Sequence, residues 1–129
     1  MPITIRNLTR GTTVASDSGE AKSFFGKLLG LMGRKQMPLS AALVIDRTNW
    51  IHTFWMRFPL DAVYVDRNWK VVGLETNLAP NRIGRPFWSA HAVIELNAGI
   101  VAACGTQVGD QLQLAVPETA TAGTPITRT

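Results

Sequence analysis

The alternation of apolar and polar residues along the chain predicts about seven short β-strands. Residues 2–6 alternate apolar and polar side chains, as a half-buried strand does. A second strand at 12–15 follows a turn at 9–11 and is expected to pair with the first. The remaining strands are expected at 41–45, 61–65, 69–75, 91–96 and 111–114, and the segment 53–56 is expected to be extended. The segments 61–65 and 69–75 are predicted to form a hairpin.

Two helices are predicted from cap signals and helical spacing. The run Asp17–Glu20 has the residues of a capping box, in which the first and last side chains satisfy each other's backbone amides. The apolar residues between 21 and 32 then recur at helical spacing. A second, shorter helix is expected at 98–104, with Asn97 as its N-cap and Gly105 at its end.

The chain length and composition indicate one globular domain. It has 129 residues, of which 46% are hydrophobic, and lacks any apolar run of about 18 residues that could span a membrane. Residues 1–116 are expected to form a single β-rich domain. The segment 117–129 contains almost no large apolar residue, so we predict a flexible C-terminal tail. The predicted class is α+β and predominantly β: a small curled antiparallel or mixed sheet, or a partial barrel, with one N-terminal helix and one short C-terminal helix.

The charge distribution changes this picture little. The net charge is +4, and residues 1–57 contain eight Lys or Arg against three Asp or Glu. These bases are spaced out rather than clustered, so nucleic-acid binding through the basic N-terminal half is only a weak third hypothesis. The N-terminus lacks the features of a signal peptide, which predicts a cytoplasmic protein without a membrane partner.

Three blocks of sequence resemble a known family. They are Gly30–Arg34, His52–Asp61 with Val63–Asp66, and Glu95–Gly99 followed by Val108–Asp110. Together they are similar to the domain-of-unknown-function 192 family of bacterial and archaeal proteins, over about residues 3–114. The resemblance implies a compact β-rich domain. The family has no agreed activity, so the resemblance implies no catalytic residue for this chain.

Two carboxylates stand out because their surroundings in the sequence are apolar. A buried Asp61 must pair with Arg57, accept backbone amides, or face water in a pocket, since an unpaired buried charge costs several kcal/mol. Glu95 interrupts the apolar strand at 91–96. It either belongs to a functional site or accepts hydrogen bonds from the amides of the turn at Asn97.

Adjacent aromatic residues suggest an exposed apolar surface. Neighbouring side chains on a strand point to opposite faces, so Phe54 and Trp55 cannot both enter one core. The same holds for Phe87 and Trp88 if their segment is extended. We therefore predict a groove with apolar walls and arginines at its edge, suited to a small acidic ligand or peptide. The predicted ligand-binding residues are His52, Trp55, Arg57, Asp61, Arg85, Trp88 and Glu95.

The leading hypothesis from the sequence is a non-catalytic binding or accessory domain. The alternative is a hydrolase that uses His52 or His91 as a base with Asp61 or Glu95. The chain has no nucleophile elbow and no short-range metal-ligand spacing, so neither a metal nor another cofactor is expected. We expect a monomer or weak homodimer.

Overall fold

The computed structural model describes residues 3–20, 41–53 and 58–115. Within these ranges the chain forms seven β-strands and one short α-helix. They are β1 (Ile3–Asn7), β2 (Thr12–Glu20), β3 (Ala41–Asp46), β4 (Leu60–Val65), β5 (Val71–Leu78), β6 (Ala92–Asn97), α1 (Ile100–Cys104) and β7 (Leu112–Ala115). The expectation of a mostly β domain is confirmed. The predicted N-terminal helix, most of the predicted extended segment at 53–56 and the predicted tail at 117–129 lie outside the described residues.

The strands form one curled sheet in the order β5-β4-β6-β3-β2-β1-β7. The pair β2–β3 is parallel and the other neighbouring pairs are antiparallel. The two edge strands approach each other at one corner, where Val71 donates its amide to Asp110 O at 2.9 Å and Lys70 forms a bridge with Gln111. This contact covers only the start of β5. Among the described strands the sheet therefore curls strongly, but it does not close into a barrel.

The predicted capping box is wrong, because Asp17–Glu20 are the last residues of β2. They pair in parallel with β3, with Asp17 opposite Ala41 and Glu20 opposite Val44. A capping box is a local signal. Here the pairing with a distant strand has determined the backbone conformation instead, as tertiary context often does.

The helix α1 begins later than predicted and without the predicted cap. Asn97 is the last residue of β6, and the N-cap position is taken by Gly99. Its φ of 99° is a conformation that glycine adopts without steric cost. Gly105 ends the helix in a left-handed conformation with φ 71°, as predicted.

The hydrophobic core lies on the concave side of the sheet, which we call the inner face. Alternate residues of the central strands point into it, among them Val63 and Val65 of β4 and Ile94 of β6, all fully buried. Fully burying a side chain of this kind contributes about 1.5–3 kcal/mol. Cys104 packs against this core and is buried, as expected for a small packed thiol.

A second apolar cluster lies on the opposite side, the outer face. It contains Ala62 and Tyr64 of β4 and Val93 of β6, with Ile51 and Phe87 packed over them from two connecting segments. The strands β4 and β6 are therefore buried on both faces. None of the helices in the described part of the chain has the length and apolar character to cross a membrane.

Candidate functional site

Asp61 is a buried carboxylate whose oxygens accept three main-chain amides. Its Oδ1 accepts from Asn77 N at 2.8 Å, and its Oδ2 accepts from Gly99 N and Val101 N, both at 3.0 Å. The side chain is 1% exposed. By accepting the amides at the start of α1, Asp61 performs the capping function that was predicted for Asn97. Of the alternatives open for Asp61, the structure shows the acceptor of backbone amides.

An open cleft of about 550 Å³ lies beside Asp61, between the end of β5 and α1. Asp61 is the one charged residue among its described lining residues. Because both of its oxygens already accept amides, the cleft does not present a charged group that lacks hydrogen-bond donors.

Glu95 is buried in a different way. It lies in the middle of β6 with 5% of its surface exposed, and none of the hydrogen bonds or ion pairs found among the described residues involves it. Burial raises the pKa of the Glu95 carboxyl to about 7, because the charged form loses its water. The amides of the turn after β6 donate to Asp61, so the alternative that they donate to Glu95 is wrong.

Asp61 and Glu95 project from opposite faces of the sheet. In the β4–β6 ladder Asp61 lies opposite Leu96, which belongs to the inner core, whereas Ala62 lies opposite Glu95. Successive side chains on a strand alternate between faces, so the two carboxylates cannot share a cavity. The predicted set of ligand-binding residues is therefore divided by the sheet.

Sequence reasoning overlooked two polar residues on the outer face, Glu75 and Tyr64. The Tyr64 hydroxyl donates to Glu75 Oε1 at 2.7 Å, and Arg85 N donates to Glu75 Oε2 at 3.0 Å. Burial, followed by the hydrogen bond to Glu75 and the charges of Glu75 and Glu95, raises the pKa of Tyr64 above its ordinary value. A signal in the sequence was Gly73, which lies opposite Tyr64 and leaves room for an aromatic ring.

That room is taken by Phe87. Its ring centroid lies 4.2 Å from that of Tyr64, and a Cβ at Gly73 would collide with the Phe87 ring. Gly84 is similarly restricted, because a Cβ there would collide with the Glu75 carboxylate. The segment from Gly84 to Phe87 is thus held closely against the outer face.

Residues 49–53 and 81–88 pair with each other through backbone hydrogen bonds, and we call them the paired loops. Thr53 N donates to Arg82 O, Gly84 N to Ile51 O and Phe87 N to Asn49 O, each at 2.8 Å. His52 and Ile83 form a β-bridge within this pairing. Ile51 and Thr53 are buried beneath the pair, and His52 between them is turned outward.

The outward side of the paired loops exposes large apolar side chains. Trp88 is 81% exposed, Ile83 is 65% exposed and Trp50 is 47% exposed. Phe87 is half-buried on Tyr64 while Trp88 faces solvent, so this aromatic pair is split as predicted. The cause is a turn, in which Ala90 N donates to Phe87 O, rather than an extended strand.

The other predicted site residues fall in several places. His52 is exposed on the paired loops, with its ring 6.2 Å from that of Trp50, and Arg85 places its guanidinium 5.5 Å from the Phe87 ring centroid. His91 Nε2 lies 3.7 Å from Asp46 Oδ1. Trp55 and Arg57 lie outside the described residues. The structure thus places His52, Arg85 and Trp88 on the paired loops, and all three are exposed.

These features define a small, predominantly β domain with a strongly curled seven-stranded sheet in its described part and two loops paired over one face. The chain belongs to the domain-of-unknown-function 192 family, described as an uncharacterised ACR, whose profile matches residues 6–114. The resemblance found in the sequence is confirmed.

Relatives and solved structures agree with this assignment. A UPF0127 protein of Pyrococcus furiosus is 31% identical over 83% of this chain and 94% of its own length, and a UPF0127 protein of Pyrococcus horikoshii is 31% identical over 72% and 83%. A protein of unknown function from Novosphingobium aromaticivorans has a TM-score of 0.65 at 22% identity, covering 87% of this chain and 83% of that one. A Sinorhizobium meliloti protein, named a candidate transcription regulator, has a TM-score of 0.64 at 22% identity, covering 87% and 91%. At this identity the two solved structures support the fold alone.

Proposed function

We propose that this chain is a non-catalytic binding domain that holds an acidic peptide against the outward side of the paired loops. The observation that carries the proposal is the exposure of Trp50, Ile83 and Trp88 on two segments that are hydrogen-bonded to each other. Several large apolar side chains exposed on two paired segments of a folded domain are typical of an interaction site. Tryptophan is also enriched among the residues that dominate binding energy.

The positive charge of the paired loops favours an acidic ligand. Residues 49–53 and 81–88 contain two arginines and one of the two histidines of the chain, but no aspartate or glutamate. Arg82 and Arg85 are exposed. An apolar surface with cationic residues beside it favours a partner that carries both apolar and acidic side chains.

The paired loops have the rigid support that a binding surface needs. Glu75 accepts the amide of Arg85, and Phe87 packs on Tyr64, so the loop is attached to the central strands by a polar and an aromatic contact. A surface held in place before binding loses less conformational entropy when the ligand arrives.

The proposal is tested with a labelled peptide of alternating leucine and glutamate, whose binding is followed by fluorescence anisotropy. We expect Trp88→Ala to weaken binding by about tenfold or more, as removal of a central aromatic residue often does. Arg85→Ala should weaken binding less and reduce its salt dependence. Arg67→Ala removes an exposed arginine in the β4–β5 turn and serves as the matched control, with no change expected.

Three results would contradict the proposal. The first is equal binding of a peptide with glutamine in place of glutamate, and the second is equal binding by wild type and Trp88→Ala. The third is tight binding of glutarate alone, which would make the ligand a free organic acid. A single-stranded oligonucleotide is included as well, and a steeply salt-dependent affinity for it above that for the peptide would favour the nucleic-acid hypothesis instead.

The geometry does not favour Asp61 as the partner of a catalytic histidine, because both of its oxygens accept backbone amides. The cytoplasmic location and the monomeric or weakly dimeric state stay predictions.

A further inference from the structure

The open cleft beside Asp61 is separate from the paired loops and has room for a small molecule. It has a volume of about 550 Å³ and lies between the end of β5 and α1. It lies on the side of the sheet to which Asp61 points, whereas the paired loops cover the opposite side. Volumes of about 300–1,000 Å³ are typical of clefts that bind small molecules. A ligand of this size therefore has both space and an entry from solvent.

Neutral polar side chains line the cleft and are accessible to a ligand. Thr76 and Asn77, from the end of β5, are exposed, and so is Gln107, from the segment after α1. The side-chain carbonyl of Gln107 accepts from Arg10 at 2.9 Å, so its NH₂ group is left to donate to a ligand. A threonine hydroxyl and an asparagine amide each donate and accept hydrogen bonds. The lining therefore offers hydrogen-bond donors and acceptors without a net charge.

The one charged residue of the cleft favours a neutral ligand. The described lining residues include no Lys, Arg or His, so an anion would meet the Asp61 carboxylate with no cation to offset it. Asp61 is buried and accepts three main-chain amides, so a cation would not find an unpaired carboxylate either. A carboxylate has about four acceptor positions, which leaves one position for a hydroxyl group.

Small residues form the surface between the polar groups. They are Ala98, Gly99, Ala102 and Gly105. A Cβ added at Gly99 or Gly105 would meet no atom within 4 Å, so no side chain of the described residues fills the space beside them. Such short residues let a compact ring approach the backbone closely. Their apolar surface also suits the C–H groups of that ring.

We propose that this cleft binds a neutral polyhydroxylated compound of the size of a single sugar ring. Each hydroxyl of such a compound both donates and accepts, which matches the side chains of Thr76, Asn77 and Gln107. A hydroxyl that reaches the remaining acceptor position of Asp61 makes a charge-assisted hydrogen bond, which is stronger than one between neutral groups. The site is independent of the proposed peptide surface, because the two share no residue.

The test follows the amide NMR signals of the wild-type protein during titration with D-glucose, D-galactose and D-mannose. At least one of these sugars should shift the signals of Asn77, Gly99 and Ala102 in a saturable way, while those of Ile83 and Trp88 stay unchanged. The uronate with the same ring as the binding sugar should bind about fivefold more weakly or less tightly still, because its carboxylate is repelled by Asp61.

Three results would overturn the proposal. The first is the absence of a saturable shift with all three sugars. The second is equal or tighter binding of the uronate, which would make the cleft an anion site. The third is binding of D-glucosamine about tenfold or more tightly than D-glucose, which would make it a site for a cation.

Two neighbouring alanines of α1 provide a variant and its matched control. Ala102 and Ala103 are both exposed, but Ala103 lines a different groove, beside β2. Ala102→Phe should weaken sugar binding by about tenfold or more, because its ring occupies the space of the ligand. Ala103→Phe should leave the affinity unchanged. Any other pattern in two folded variants would place the sugar elsewhere and refute the site.

Thr76→Val tests the cleft without blocking it. The substitution removes one exposed hydroxyl and keeps the size of the side chain, so we expect a loss of about three- to tenfold in sugar affinity. An unchanged affinity would contradict the proposed contact. Trp88→Ala should leave sugar binding intact, so the failure of the peptide proposal and the failure of this one are distinguished.

Discussion

Each face of the central sheet has a buried carboxyl group, and the two groups differ in their hydrogen bonding. On the inner face, Asp61 accepts three main-chain amides and holds the end of β5 and the start of α1 in place. On the outer face, Glu95 lies one step along the same β4–β6 ladder and is equally enclosed, but it has no hydrogen-bond donor among the described residues.

This difference separates a structural role from a functional one. A buried carboxylate that accepts main-chain amides has a structural role, because it takes the place of the water that these amides would otherwise need. A buried carboxyl without donors destabilises the fold. Among the described residues, no hydrogen bond or ion pair offsets this cost at Glu95. Among the described residues, the carboxylate of the inner face therefore has a structural role in the fold, whereas that of the outer face has none that the hydrogen bonds explain.

Removal of the Asp61 carboxylate should have the largest effect on stability. Asp61→Ala leaves the amides of Asn77, Gly99 and Val101 without their acceptor, and each buried unsatisfied group costs about 1–3 kcal/mol. Because water can reach part of this region, we expect a loss of about 3–5 kcal/mol in the free energy of unfolding. Urea denaturation followed by circular dichroism measures it.

Asp66→Ala is the matched control for this prediction. Asp66 also accepts two main-chain amides, from Asn68 and Lys70, but both of these hydrogen bonds are exposed. Water replaces the lost acceptor there, so we expect about 1 kcal/mol or less. Equal losses in the two variants would show that the Asp61 bonds are no more important than those of an ordinary turn.

Glu95→Gln should have a smaller effect, and one that depends on pH. An unfolded glutamate titrates near 4.5 and Glu95 in the folded protein near 7, so between these values the folded state holds a proton that the unfolded state has lost. The contribution of Glu95 to stability is therefore present below about pH 4.5 and is lost as pH rises to about 7. Glutamine has no charge to bury, so the variant should be more stable than wild type above pH 7, by roughly 3 kcal/mol.

The comparison is made as a difference between the two proteins at each pH, so that the other ionisable groups cancel. Near pH 4 the two proteins should have similar free energies of unfolding, and near pH 8 the variant should be the more stable one. A difference that is the same at both pH values would mean that Glu95 does not change its protonation state on unfolding. The contrast between the faces would then lose its physical basis.

Local patterns in the sequence predicted those parts of the fold that depend on neighbouring residues. The hairpin of β4 and β5, the turn after β1 and the helix end at Gly105 follow from alternation and from glycine, and the structure confirms them. The capping box at Asp17–Glu20 was wrong because β3, more than twenty residues further along the chain, pairs with that segment. Long-range pairing leaves no trace in a short window of sequence.

The same limit applies to the candidate site. Alternation identified Glu95 as an anomaly in an apolar strand, and burial confirms that it is one. Period-two reasoning could not tell which of Asp61 and Glu95 would receive the turn amides, because this depends on the register between β4 and β6. Tyr64 and Glu75 were missed for a similar reason. Each is unremarkable within its own strand, and their importance comes from a hydrogen bond that joins two strands.

Changes at Tyr64 should have the smallest effect on the free energy of unfolding, and they test the outer face most directly. It is the one tyrosine in the chain, so an alkaline absorbance titration reports on it alone. Its pKa is raised by burial, by its hydrogen bond to Glu75 and by the nearby negative charges. An unfolded tyrosine ionises near pH 10, so the contribution of Tyr64 to stability is present below this pH and is lost as pH rises above it. Phenolate absorbance should therefore appear abruptly, together with unfolding. A smooth titration near pH 10 in a protein that circular dichroism shows to be folded would contradict the enclosure of this face.

Tyr64→Phe tests the same contact without changing pH. The variant keeps the ring that packs on Phe87 and removes the hydroxyl that donates to Glu75. Because Glu75 keeps the amide of Arg85, we expect a loss of only about 1 kcal/mol in the free energy of unfolding near neutral pH. At pH values above 10 the variant should become more stable than wild type, since phenylalanine has no proton to lose. This reversal would show that the stability of the outer face, unlike that of the inner face, depends on a buried group that stays protonated.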